Sequence, residues 1–213
     1  HKNAFKKVVV GLSGGIDSAL VACLAADALG PQAVLALGMP SQYSSRGSWE
    51  DAKSLAQHLG ISFAIHPISK TYELLLETFD GYQKKTKQSN ESRDVTLAMQ
   101  NLQARLRGLE LMYWSNHEGR LLLSTGNKSE IAMGYCTLYG DMCGGLAVLG
   151  DVYKTDVYRL AYYRNSVKDV IPESILKKAP SAELKPNQKD EDSLPPYEIL
   201  DQILYQYIEK NQD

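Results

Sequence analysis

Val8-Val9-Val10 runs directly into Gly11-Leu12-Ser13-Gly14-Gly15-Ile16-Asp17-Ser18, and the chain continues as IDSALVACLAADAL. A short, continuous β-branched run reads as a buried parallel strand. The stretch after it reads as a helix, closed by Gly30 and then Pro31. A strand that turns into a helix through glycines and serines begins a βαβ unit. That restricts the chain to α/β folds with a parallel sheet.

The pattern repeats along the chain. AVLALGM, ISFAIHPI and RLLLSTG read as further strands. SWEDAKSLAQHL reads as a helix that starts in a capping-box manner at Ser48 and Asp51 and ends at Gly60. KTYELLLETF, VTLAMQNLQARLRGLELMYWSNHEG, KTDVYRLAYYRN and YEILDQILYQYIEK read as helices. Residues 80–94 are polar and predict a mobile loop; residues 134–150 are glycine-rich and irregular; KKAPSAELKPNQKDEDSLPP predicts a long loop. The expected architecture is a doubly wound parallel sheet in one domain over residues 1–213. Ligands of such sheets bind beyond the carboxyl ends of the strands. The two strand ends richest in small polar residues, GLSGGIDS and LSTGNKSE, should open into one crevice.

The loop itself suggests its ligand. Gly14 and Gly15 allow positive φ and close backbone approach. The N–H groups of residues 13 to 18 then face inward at the positive end of a helix, and Ser13 and Ser18 add hydroxyls. This suits a pyrophosphate. The sequence lacks the Lys of GxxxxGK[ST], so γ-phosphoryl transfer in the usual nucleotidase manner is not expected. Asp17 beside phosphates is repulsive unless a cation intervenes, which points to Mg²⁺. Without a ligand, the same residues would serve as helix caps.

Bulk properties exclude several functions. The 213 residues carry a net charge of −2, which gives no broad electrostatic footprint for nucleic acid. No apolar run reaches the ~18 residues that span a bilayer. Cys23, Cys136 and Cys143 are odd in number, form no CxxC and follow no signal peptide, so a reducing, cytoplasmic setting is expected. Packing is the expected role of all three, with Cys143, among glycines, the one to watch. His1, His58, His66 and His117 are scattered without metal spacing. The chain begins without Met, as a processed chain or an excised domain would.

SGGIDS resembles the SGGxDS signature of the ATP pyrophosphatases, the PP-loop family. With it, MPSQYSSRGSWEDAKSLAQHLGI, NLQARLRGLELM, LLLSTGNKSEIAMGYCTLYGDMCGG, KTDVYRLAYYRN, VIPESILKKAPSAEL and KDEDSLPPYEILD resemble NAD synthetase, in its glutamine-dependent branch, over nearly the whole chain. The resemblance implies an adenine nucleotide alpha hydrolase-like fold and an ATP-dependent amidation of deamido-NAD by ammonia, with release of AMP and pyrophosphate. It places ATP on Gly11, Leu12, Ser13, Gly14, Gly15, Ile16, Asp17 and Ser18, and on Thr125, Lys154 and Ser181. It places deamido-NAD on Asn101, Arg105 and Glu130, and Mg²⁺ on Asp17 and Glu130. Asp17 and Lys154 become the catalytic pair, and a homodimer is implied. Taken without the resemblance, Lys154 could start a helix, Asn101 and Arg105 could lie on a solvated face, and Glu130 could be a first-turn acid favoured by the helix dipole.

Two departures stand out. The branch's nitrilase-like glutaminase domain has no counterpart in 213 residues, so ammonia would arrive free or from a glutaminase domain of a longer protein. The family's basic segment near the carboxyl terminus has no counterpart after YIEKNQD. GMP synthetase, asparagine synthetase and tRNA-thiolating enzymes share the loop. The last would want a basic surface and reactive cysteines. A non-catalytic nucleotide-binding domain is the remaining alternative, against which stands the retention of Asp17, Glu130 and Lys154.

Overall fold

The computed structural model describes residues 5–86 and 95–212. Strands β1 (Val8–Gly11), β2 (Val34–Gly38), β3 (Ser62–Ile65), β4 (Leu121–Ser124) and β5 (Leu146–Ala147) form one sheet in the order β3-β2-β1-β4-β5. Every pairing is parallel. Strand order reverses between β1 and β4, so a crevice opens at their carboxyl ends. This is the doubly wound α/β architecture expected from the alternation of strand and helix.

Period-two alternation places β1 between two helical layers. Val8 and Val10 pack with α1 (Ile16–Leu29), α2 (Arg46–Leu59), α6 (Lys154–Val167) and α7 (Glu173–Lys177). Val9 faces the other way, onto Tyr72 of α3 (Ser69–Thr86) and Leu106 of α4 (Val95–Glu118). Helix α1 is buried from Ile16 through Cys23 save for Asp17. It is apolar all round, as a helix covered on most sides must be. Burial pushes the Cys23 thiol up to about 11, and it raises Cys136 and Cys143 as well. Each thiol is thereby kept protonated, which fits a packing role.

Several boundaries differ from the sequence reading. Helix α2 begins at Arg46: Ser45 caps it, accepting from Ser48 N–H, so Ser48 lies inside the first turn. Gly60 does end it, in the left-handed conformation at φ 69°. Residues 80–86, expected as loop, continue α3, and residues 87–94 of that stretch lie outside the described residues. The glycine-rich stretch supplies the two-residue β5. Helix α7 falls in VIPESILKK, where a helix was not anticipated. The last helix is α-helical as α8 (Tyr197–Leu204) and then widens into a π-helical turn, Tyr205–Glu209. Among the described residues, no helix is long and apolar enough to cross a membrane.

Candidate active site

The turn after β1 is held by its own serines. Ser18 Oγ donates to the Gly15 carbonyl at 3.0 Å and accepts from Ser13 N–H at 3.3 Å. Gly15 N–H is bound by Ser13 Oγ at 3.3 Å. Two of the N–H groups expected to face a ligand, those of Ser13 and Gly15, are therefore engaged within the loop. Those of Gly14, Ile16, Asp17 and Ser18 form no hydrogen bond among the described residues. They stand at the start of α1, where N–H dipoles favour an anion. Of the two glycines, only Gly14 has positive φ, at 78°; Gly15 is extended at −93°. A Cβ on Gly14 would meet the Ser48 carbonyl oxygen at 2.1 Å. Gly14→Ala is therefore expected to cost at least about 2 kcal/mol in denaturant unfolding, from backbone strain and overpacking.

The second strand end converges on this loop as the sequence suggested. Helix α5 (Lys128–Met133) follows β4 and starts with a complete capping box. Asn127 Oδ1 accepts from Glu130 N–H at 3.0 Å, and Glu130 Oε2 accepts from Asn127 N–H at 3.2 Å. The remaining Asn127 amide donates to Asp17 Oδ1 at 2.9 Å. One buried asparagine thus fixes both carboxylates. An acid three residues after Asn127 was the local signal for this cap, but its reach to Asp17 is tertiary.

Lys154, the first residue of α6, lies between those carboxylates. Its Nζ is 2.5 Å from Asp17 Oδ2 and 3.4 Å from Glu130 Oε1, and the side chain is only 3% exposed. Burial opposes its charge, but Asp17 and Glu130 outweigh burial and raise its pKa. Burial and the neighbouring Asp17 charge push the Glu130 carboxyl up to about 7, against the pull of Lys154. Asp201 on α8 sets the register of both helices. Its carboxylate accepts from Ser129 Oγ at 2.5 Å and from Thr155 N–H at 2.8 Å, while Ser129 Oγ accepts from Lys154 N–H at 2.9 Å. The C-terminal helix therefore braces the site from behind.

A cleft of about 410 Å³ opens onto this trio. Gly11, Leu12, Ser13, Gly15, Ile16, Asp17, Ser18, Thr125, Glu130, Lys154, Ser181 and Asn101 all line it. Gly14 lies behind it, against Ser48. Asn101 Oδ1 accepts from Thr137 Oγ1 at 2.8 Å. Arg105 is not in the lining. It is exposed and donates from Nε to the Leu138 carbonyl at 3.2 Å. Ser181 reaches the cleft because its segment is locked to α2. Lys178 Nζ donates to Ser48 Oγ and to Glu183 Oε1, the latter at 2.7 Å, and Ser48 Oγ donates to Glu183 Oε1 at 2.6 Å.

Sequence reasoning passed over three further groups here. Asp190, in the polar stretch read as a loop, is 4% exposed and accepts from the Tyr197 hydroxyl at 2.9 Å through Oδ2. Its Oδ1 is buried without a partner among the described residues, and burial raises its pKa. Asn127 and Arg107 are the other two. Among the described residues, no group of three or more His, Cys, Asp or Glu side chains could hold a metal ion alone. Mg²⁺ takes one or two carboxylates and completes its shell with phosphate oxygens and water. The hard oxygens of Asp17 and Glu130 meet that requirement once Lys154 withdraws.

The arrangement offers N–H donors and a helix start for an anion, two carboxylates for a cation and a buried ammonium for developing negative charge. It contains no Ser-His-Asp or Cys-His relay among the described residues. This is equipment for binding and charge stabilisation of a polyphosphate.

Comparison with known proteins agrees with that arrangement. The family model for NAD synthase matches residues 1–213. The glutamine-dependent NAD(+) synthetase of Aquifex aeolicus is 57% identical over 99% of this chain, which spans 36% of that relative's length. The glutamine-dependent NAD+ synthetase of Acinetobacter baumannii, solved in complex with ADP, superposes with a TM-score of 0.77 at 46% identity, covering 99% of this chain and 36% of that one. The NMN synthetase of Francisella tularensis superposes with a TM-score of 0.83 at 32% identity, covering 95% of this chain and 78% of that one. The chain spans about a third of the length of the curated relatives it matches. The chain belongs to the NAD synthase family.

Proposed function

We propose that this chain is the amide-forming domain of a NAD synthetase, which activates the nicotinate carboxylate of deamido-NAD with ATP and passes it to ammonia. The observation that carries this reading is the trio Asp17, Glu130 and Lys154 at the mouth of a phosphate loop that lacks its own lysine. The loop N–H groups and Ser13 bind the β- and γ-phosphates. A carboxylate oxygen of the acid forms a bond to the α-phosphorus as the bond to the bridging oxygen breaks and pyrophosphate leaves. Ammonia then attacks the acyl carbon, the C–O bond breaks, AMP departs with that oxygen and the nitrogen loses a proton. Lys154, freed from its carboxylates, neutralises the leaving pyrophosphate. Mg²⁺ held by Asp17 and Glu130 would supply charge neutralisation at the phosphate oxygens. No side chain need act as a nucleophile. Positioning and electrostatics supply the rate.

Incubation of the purified chain with ATP, Mg²⁺, ammonium and deamido-NAD is expected to give NAD and AMP in equal amounts, and omission of Mg²⁺ to give neither. Formation of ADP, or no AMP, would overturn the reading. The likeness to an NMN synthetase favours one second reading, in which the acid is a mononucleotide. Parallel kcat/KM values for nicotinate mononucleotide and deamido-NAD decide between them. The setting expected is the cytoplasm, with a glutaminase domain of a longer protein as the source of ammonia.

A homodimer belongs to the same proposal. Leu109 and Tyr113, one turn apart on α4, are 66% and 57% exposed, and Leu138 and Tyr139 are 62% and 80% exposed. Monomers rarely leave such a cluster bare. Arg105 binds the Leu138 carbonyl within this patch and is not part of its own cleft's lining. Dimerisation would bring it toward the partner's substrate. Paired Leu109→Glu and Tyr113→Glu substitutions are expected to give a monomer in sedimentation; an unchanged dimer would remove this face as the interface.

A further inference from the structure

Three cations line the cleft: Arg107, Lys154 and Lys178. Lys154 pairs with Asp17 and Glu130, and Lys178 pairs with Glu183. Arg107 has no carboxylate within ion-pairing distance among the described residues. Its hydrogen bond runs from Nε to the Met39 carbonyl at 3.0 Å. The four N–H groups on its two amino nitrogens have no protein partner among the described residues and are open to the cleft. The acid whose charge it feels is Glu183. That carboxylate is already taken by Lys178, Ser48 and Ser45. Burial pulls the guanidinium down to about 10. A half-buried cation that faces a cleft without a counter-charge invites an anionic ligand.

Its place in the fold indicates which ligand. Leu111, one turn further along α4, packs at Gly11, the last residue of β1. Arg107 therefore stands about one turn beyond the carboxyl end of β1, tied to Met39 just past β2. Ligands of such sheets bind in the crevice between these strand ends.

We propose that Arg107 binds the carboxylate of the acid substrate, its planar guanidinium matching the two carboxylate oxygens and thereby selecting the acid over the amide product. This rests on the substrate reading above. A guanidinium fork fits a carboxylate bidentately where a lysine would offer a point charge. The non-bridging oxygens of a phosphate present the same chemistry, and the experiment separates the two.

Titration calorimetry on the purified wild type, Arg107→Gln and Arg107→Lys, with deamido-NAD, NAD and ATP as separate ligands, tests the assignment. Deamido-NAD and NAD differ at the group in question, carboxylate against carboxamide. Wild type is expected to prefer the acid. Arg107→Gln should weaken deamido-NAD by about 10–100-fold, with NAD and ATP changed by less than about twofold. Arg107→Lys should recover part of the loss. If Arg107→Gln weakens ATP and keeps the preference for the acid, the bound anion is a phosphate and the carboxylate assignment is overturned. If it changes no ligand, the residue only braces Met39 and the proposal is overturned. A wild type that binds ATP but not deamido-NAD refutes the substrate reading before any variant is made.

Discussion

Asp17→Asn is expected to lower the rate of AMP formation by about 10³-fold in a protein that still folds. Asp17 receives Asn127 Nδ2 on one oxygen and the Lys154 ammonium on the other. An asparagine can accept from one of these donors but must turn its own N–H₂ toward the other. It also removes one of the two charges proposed to hold Mg²⁺. The local cost is about 1–3 kcal/mol of stability, less than the ~5–15 kcal/mol margin of a folded domain. Rapid-quench measurement of AMP, with circular dichroism as the folding control, checks this result. Activity within tenfold of wild type would remove Asp17 from the site.

Lys154→Ala carries the other large effect. The rate of AMP formation should fall by about 10²–10³, because the pyrophosphate loses the charge that meets it as it leaves. Stability should suffer too, since Asp17 and Glu130 would then face each other without their counter-charge. Removing one member of a buried ion pair typically costs about 3–5 kcal/mol. Glu130, already raised to about 7, softens this by taking up a proton. Lys154→Arg keeps the charge with another shape and should be more stable than the alanine variant yet slow. Comparison of urea midpoints and single-turnover rates for the two variants separates structural pairing from catalysis. A rapid alanine variant would reduce Lys154 to a structural bridge.

How much of this was legible in the sequence depends on how local each signal was. The span IDSALVACLAADAL matches α1 at both ends, because strand, turn and cap follow one another without a break between Val8 and Gly30. The convergence of GLSGGIDS and LSTGNKSE followed from topology alone. The cap of helix α2 was placed three residues late, at Ser48, because several serines compete for it, and the choice fell to Ser45. Residues β5 and α7 are too short to leave a periodic trace.

The site shows the same divide. Asp17, Glu130 and Lys154 were named, but the ammonium seated between the carboxylates follows only from packing, with 137 residues separating Lys154 from Asp17. Asn101 and Arg105 share a face by spacing, yet Asn101 lines the cleft and Arg105 turns to Leu138. Arg107, about 200° around the helix from Arg105, is the arginine that enters the cleft. No periodicity could rank the two, because the choice depends on the loop packed against α4. Asp190 was hidden for another reason. A carboxylate amid Lys, Glu and Asp reads as solvated until tertiary structure buries it under Tyr197.

The proposed chemistry makes one bond its signature, that between the substrate carboxylate and the α-phosphorus. Deamido-NAD carrying ¹⁸O in its nicotinate carboxylate, turned over by the purified chain with ATP, Mg²⁺ and ammonium, reports directly on that bond by mass spectrometry. One labelled oxygen is expected in AMP and none in pyrophosphate. Label in pyrophosphate or inorganic phosphate, or AMP formed without label, would contradict attack of the carboxylate at the α-phosphorus.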